Sequence, residues 1–328
     1  MKELVKNLLS NRTRTVPVLS FPAARHLGYT VRDFVTSSEA QAAGMSFVAQ
    51  NYPVGAVMNM MDLSVEAEAF GAEIVFDDRK VPEVRGTLIN DVSEIASLAV
   101  PDISAGRVGV FAEGIRKAKK AVKDIPIICG AAGPYSLAGR LIGMTQLMLE
   151  CFDSPDEVKE LLDKCTCFIT AYVSEMKLAG ADGVLICEPS AGLISPDMAE
   201  EFSNPFIRRI FDAAGDGDFI TGYHNCGPTV NDMGRELSLL NADIYHFGNA
   251  VDIAAILPLM PEGSAVMGNL DPLLLRNGSP EDVKRAVYAL WNTCSDYPCF
   301  MLSSGCDIPA DALEENLNAY FEAAGTCM

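Results

Sequence analysis

Residues 220–229 read ITGYHNCGPT, a β-branched, apolar approach that ends in His224-x-Cys226 and then Gly-Pro. Side chains two apart in an extended segment point the same way. An imidazole and a thiol so placed are the nitrogen and sulfur donors that zinc prefers. The chain has only three histidines, so one at this position carries information. Cys306, in SSGCD (303–307), is a second thiol just past an apolar run and beside a glycine. A catalytic zinc site keeps three protein ligands and one open position, and His224, Cys226 and Cys306 make such a set. Zn²⁺ with two thiolates and a neutral imidazole sums to zero charge. A further anionic ligand in the open position would make the site anionic overall.

Other polar residues stand at or just beyond the ends of apolar runs, among them Asn59, Asp271 and Asp307. Asp62, Tyr135 and Glu188 are the candidates for catalytic contact, and His246, Asn249 and Asn269 those for substrate binding. Each has a plainer role open to it as well. Asp62 can cap the helix that runs through SVEAEAFG, His246 can pack or hydrogen-bond, and Glu188 and Tyr135 can cap or pack.

The elements that must position these residues follow from hydrophobic pattern. Eight short apolar runs recur, at 16–21, 55–60, 125–130, 183–188, 219–224, 242–247, 264–269 and 299–304. Runs without polar alternation suit strands covered on both faces. Between them lie helical patterns at 154–180, 195–215 and 279–290, each opening Ser-Pro-acid. Ser154 with Glu157 predicts a capping box, and Gly180 a stop. This alternation, with right-handed crossovers, predicts an α/β fold: a single-domain (β/α)8 TIM barrel over 1–328. Residues 1–15 are its short N-terminal helical extension, and 62–123 an elaborated βα excursion. A doubly wound sheet is the alternative, but no strand leads into a Gly-x-Gly-x-x-Gly phosphate turn. Barrel enzymes carry reactive groups at the carboxyl ends of their strands, where all the candidates fall. The fifth and eighth predicted strands face one another across the mouth, which lets Cys306 meet His224 and Cys226.

Composition sets the class. Hydrophobic residues at 49% and charged residues at 21% suit a folded chain with a large core. A net charge of -19 argues against nucleic acid or an anionic membrane as partner. The opening MKELVKNLLSNRTRTVPV lacks a continuous apolar signal region, and no uncharged apolar run is long enough to span a bilayer. The expectation is a cytoplasmic enzyme. Ten cysteines in a chain this long are no disulfide scaffold. Cys151, Cys165, Cys167, Cys294 and Cys299 sit in apolar or helical patterns, as small core residues do.

GYHNCGPT, GNLDP (268–272), LSSGCDIPADALEENLNAYFEA (302–323) and DLSVEAEAFGAEI (62–74) together resemble the uroporphyrinogen decarboxylase superfamily. Within it they resemble the zinc-dependent methylcobamide:thiol methyltransferases of the coenzyme M type. The resemblance implies a (β/α)8 barrel and zinc on His224, Cys226 and Cys306. It also implies a corrinoid (methylcobamide) co-substrate brought by a corrinoid carrier protein, and a small thiol such as coenzyme M as methyl acceptor, in one-carbon metabolism. Some positions depart from the pattern. The decarboxylases' Arg-x-x-x-Arg near the first strand falls on Pro22 and His26, with only Arg25 between, and their late Gly-His-Gly falls on Gly305-Cys306-Asp307. Asp62 matches the decarboxylases' functional aspartate. The glutamate that related methyltransferases place about twenty residues after His-x-Cys is missing, since Ile244 to Ala250 holds no acid; water, the substrate thiolate or His246 is left to complete the zinc shell. The alternatives are a uroporphyrinogen decarboxylase, a corrinoid methyltransferase whose partner is a folate, methoxylated or methylamine compound, and a non-enzymatic corrinoid- or metal-binding protein.

Overall fold

Strand and helix alternate along the chain as the apolar runs require. The computed structural model describes residues 1–10 and 15–327. β1 (Val57–Met58) is followed by an antiparallel hairpin of β2 (Glu73–Val75) and β3 (Glu83–Arg85). Then come β4 (Ile127–Ala132), β5 (Gly183–Cys187), β6 (Ile220–Asn225), β7 (Ile244–Phe247), β8 (Ala265–Leu270) and β9 (Phe300–Ser304). β1 and β4 to β9 form one parallel sheet in chain order, curled as in a (β/α)8 barrel.

The sheet has seven strands, not the eight expected, because the run 16–21 does not form one. It runs between β9 and β1 all the same. Thr15 bridges Leu302, Val16 N–H donates to the Leu302 carbonyl, and Gly55 N–H donates to the Thr15 carbonyl. Pro17 has no N–H for a ladder. The hydroxyls of β9 substitute: Ser303 Oγ donates to the Val16 carbonyl at 2.8 Å and Ser304 Oγ accepts from Val18 N at 3.0 Å.

Strand alternation sorts the side chains. Tyr223, Tyr245, Val266 and Leu302 pack outward under the helices. Ile128, Leu185, Ile220, Ile244, Met267 and Met301 fill the barrel, and the helix Glu3–Ser10 adds Val5, Leu8 and Leu9 to the same cluster. Each such aliphatic side chain contributes about 1.5–3 kcal/mol on burial. This helix therefore packs against the barrel filling, on the far side from the strand ends that carry the candidate residues. Of the expected helical extension 1–15, residues 11–14 lie outside the described residues, and Thr15 is in the bridge to β9 rather than helical.

The helix Pro155–Ala179 ends at Gly180, which takes a left-handed conformation at φ 107°. Its expected capping box does not form. Ser154 also terminates the preceding helix Met144–Asp153, with its N–H bonded to Glu150, and its side chain makes no cap bond. The expected helix 195–215 is two, Pro196–Phe202 and Asn204–Ala214, because Pro205 cannot supply the N–H that would continue the first. Ser279 and Asp282 do form a capping box, on the helix Pro280–Cys294. Among the described residues no helix is long and apolar enough to cross a membrane.

Candidate metal centre

His224 sits on β6 in phase with Ile220 and Gly222, so it faces the barrel interior, with Cys187 of β5 and His246 of β7 beside it. Cys226 continues the same phase just past the strand end. Cys306 follows β9. The donor atoms of His224, Cys226 and Cys306 all lie within 4.8 Å of one another, with His224 Nε2 at 3.9 Å from Cys306 Sγ. Nitrogen and sulfur donors arranged tetrahedrally around zinc stand roughly 3.5–3.8 Å apart. Two thiols and an imidazole at this spacing fit the ion.

Hydrogen bonds fix the donors. His224 Nδ1 lies 3.3 Å from the His246 carbonyl. A carbonyl only accepts, so Nδ1 carries the proton and Nε2 presents its lone pair to the cysteines, the outer-shell arrangement common to metal-bound histidines. The Asn225 side chain latches the turn that carries Cys226, donating to the Glu188 carbonyl at 2.8 Å and accepting from Gly227 N at 2.8 Å. The Cys226 and Cys306 thiols stand within 4.8 Å of each other. The neighbouring Cys306 thiol holds Cys226 down to about 7, while the Cys226 thiol, together with burial, pushes Cys306 up to about 12. Cys226 is thus the first of the two to ionise.

His246 is fully buried, its ring 4.6 Å from that of His224. Its Nε2–H donates to the Ser304 carbonyl at 2.7 Å, which leaves Nδ1 as a buried lone pair with no partner. Burial, and then the neighbouring His224, depress its pKa to about 3. It is neutral and ties β7 to the strand end that carries Cys306.

A cavity of about 100 Å³ opens over the donors, lined by His224, Cys226, His246, Cys306 and Asp307 and walled by Val18, Met61, Leu63, Cys187 and Pro189. Among the described residues no lysine or arginine lines it. Burial raises the Asp307 carboxyl well above the usual range, and Ser20 Oγ donates to it at 3.2 Å.

Of the other expected site residues, only His246 lines this cavity. Asp62 spends both oxygens elsewhere, one on Ser64 and the other on Arg107 Nη1 at 2.5 Å, and Arg107 in turn pairs with Glu68 at 2.6 Å. Glu188 turns its carboxylate onto the start of the helix Pro134–Ile142, accepting from Tyr135 N at 3.0 Å and Ser136 N at 2.6 Å. Burial raises its pKa to about 7. Gly133 makes room for it, since a Cβ there would stand 2.2 Å from Glu188 Oε2. Tyr135 is buried with its hydroxyl toward Cys151. Asn249 is exposed, and Asn269 Nδ2 donates to the carbonyls of Gly248 and Val251, pinning the loop after β7. Sequence reasoning did not single out Met61, Leu63 or Gly248. A Cβ at Gly248 would stand 2.3 Å from that of Cys226, so only glycine lets the ligand loop close here.

Comparison with known proteins agrees with this architecture. The sequence model of the uroporphyrinogen decarboxylase family matches residues 11–327. A methylcobamide:CoM methyltransferase of Methanosarcina acetivorans is 32% identical over 274 residues, 82% of this chain and 79% of that protein. A uroporphyrinogen decarboxylase of Thermodesulfovibrio yellowstonii is 28% identical over 244 residues, 72% of this chain and 69% of that one. Among solved structures, a methyltransferase from Methanosarcina mazei superposes with a TM-score of 0.86 over 99% of this chain and 98% of its own, at 23% identity.

Proposed function

The chain belongs to the uroporphyrinogen decarboxylase family and is a methyltransferase within it, and on that premise we propose that it moves a methyl group between a methylcobamide and a small thiol such as coenzyme M. One observation carries this reading: an imidazole and two thiols converge within 4.8 Å beneath a cavity at the carboxyl ends of the strands. His224, Cys226 and Cys306 would hold zinc, which when bound lowers the pKa of a thiol and leaves its sulfur electron-rich. The His246 carbonyl keeps the proton on His224 Nδ1, and the Asn225 latch keeps Cys226 in place. Val18, Met61 and Leu63 exclude water from the cavity, which strengthens the attraction of its polar groups for a reacting sulfur. In the transfer the sulfur–methyl bond forms as the methyl–cobalt bond breaks, cobalt keeps the electron pair, and the thiol proton goes to solvent. The cavity is far too small for a corrinoid. Only the methyl-bearing face of that substrate reaches the mouth, as presentation by a corrinoid carrier protein would allow.

Among the described residues no lysine or arginine lines the cavity, which disfavours a polycarboxylate substrate. The test is metal analysis of protein purified without added zinc, followed by an absorbance assay of methylcobalamin demethylation with thiols. About one zinc per chain and thiol-dependent demethylation are expected. Metal-free protein that converts uroporphyrinogen to coproporphyrinogen would overturn the reading.

A further inference from the structure

A second, larger groove of about 520 Å³ lies beside the metal cavity, between the hairpin at Val81–Gly86, the helix Pro134–Ile142 and the segment Ser190–Leu193. Met61 and Leu63 wall both spaces, and the consecutive residues Pro189 and Ser190 line one each. The groove therefore adjoins the cavity.

Among the described residues its one cation is Arg140. The half-buried guanidinium donates to the Ser136 carbonyl at 3.0 Å and makes no ion pair among the described residues. Arginine carries five N–H donors in a fixed fork that suits oxyanions, so most of its capacity is unspent. Arg107, by contrast, is consumed by Asp62 and Glu68. The hydroxyl-bearing Ser136 and Ser190 line the same groove. Its single carboxylate, Glu83, is exposed on the hairpin.

On the methyl-transfer reading above, we infer that Arg140, with Ser136 and Ser190, is the recognition site for an anionic tail on the thiol whose sulfur reaches His224, Cys226 and Cys306. Among the described residues the metal cavity offers such a tail no cation, and a net charge of -19 repels it, so a local arginine is what admits it. The groove has the volume of an ordinary small-molecule site. A corrinoid does not fit it. The other source of anion chemistry, the phosphate of a corrinoid's nucleotide tail, is separated by the test.

Arg140→Gln and Arg140→Lys are compared with the unaltered full chain, all zinc-loaded and with zinc content measured. Turnover of methylcobalamin is followed with 2-mercaptoethanesulfonate and with uncharged 2-mercaptoethanol. Arg140→Gln should raise KM for the sulfonate thiol about 10–100-fold, the range expected for a lost charged hydrogen bond. KM for 2-mercaptoethanol should stay within about twofold, and Arg140→Lys should fall between. An equal change for both thiols would reduce Arg140 to a counter-charge for Glu66 and Glu188, which also feel it. A rise confined to methylcobalamin, and absent with phosphate-free methylcobinamide, would assign the groove to the corrinoid. Both outcomes overturn the inference. Calorimetric titration with 2-mercaptoethanesulfonate separates this inference from its premise. If the unaltered chain binds the sulfonate thiol more tightly than Arg140→Gln but transfers no methyl group, the anion site stands and the methyl-transfer reading falls. Equal binding by the two proteins sinks the anion site.

Discussion

Cys306→Ala is the sharpest perturbation of the proposed centre. The substitution removes the donor 3.9 Å from His224 Nε2 and takes the ligand set with zinc from formally neutral to +1. It also removes the neighbouring thiol that holds Cys226 down to about 7, so the remaining thiol returns toward the ordinary range and is mostly protonated at neutral pH. Structural zinc sites are worth about 10–16 kcal/mol over four ligands, or roughly 3–4 kcal/mol each. The expected loss of affinity is therefore about 10²–10³-fold. The fold should persist, because Cys306 lies at the mouth and is absent from the barrel filling. Metal content by mass spectrometry, helical circular dichroism and methylcobalamin demethylation read the three consequences separately. Cys327→Ala, in the last helix Glu314–Cys327, is the control and should keep zinc and turnover. If Cys306→Ala retained both while Cys327→Ala lost them, the ligand assignment and the chemistry built on it would be wrong.

Gly248→Ala places a Cβ 2.3 Å from that of Cys226 and must displace the ligand loop by about 1 Å, for a loss of turnover near 100-fold with unchanged circular dichroism; normal activity would show that the loop yields freely. Leu8→Ala should cost about 2–5 kcal/mol in denaturant unfolding without altering zinc affinity, since Leu8 packs in the barrel filling rather than at the mouth. Burial raises Glu66 to about 7, so between pH 4.5 and 7 the folded state binds more protons than the unfolded chain and this group makes stability fall as pH rises, by up to about 1.4 kcal/mol per unit. His246, depressed to about 3, acts the other way, its contribution rising from about pH 3 to 6.5. Glu66→Gln should remove the falling component from a pH series of unfolding curves, and an unaltered slope would refute the assignment.

What could be read from sequence was what residue type and local spacing carry. His-x-Cys after a β-branched run puts both donors on one face, and the barrel brings Cys306 to them. Seven of the eight apolar runs are strands, and the eighth fails at Pro17, where the missing N–H is visible in sequence but the substitute hydroxyls of Ser303 and Ser304 are not. A carboxylate at a strand end, in contrast, does not announce its partner. Asp62 is taken up by Arg107 and Glu188 by the amides of Tyr135 and Ser136, so neither lines the metal cavity. Gly248 and Arg140 matter only through what stands opposite them, which no spacing rule encodes.

The departures from the decarboxylase pattern act together rather than singly. Pro22 and His26 occupy the positions of the paired arginines, and Arg25 lies exposed in a groove with His26 and Glu314, apart from the metal cavity. Removing cations lowers the affinity of a site for carboxylates but creates no new chemistry. Placing a thiol at 306 where the decarboxylases have imidazole adds an anionic donor, and without a metal that donor is costly: in the half-buried pair Cys306 is pushed up to about 12 and keeps its proton at neutral pH. A dication relieves the pair and the shortage of positive charge at once. The loss of the arginines and the gain of the cysteine thus suit a cation-binding cavity for sulfur and oppose one that clamps a polycarboxylate, which is why the cavity walls, bare of lysine and arginine, belong to the same argument as the ligands.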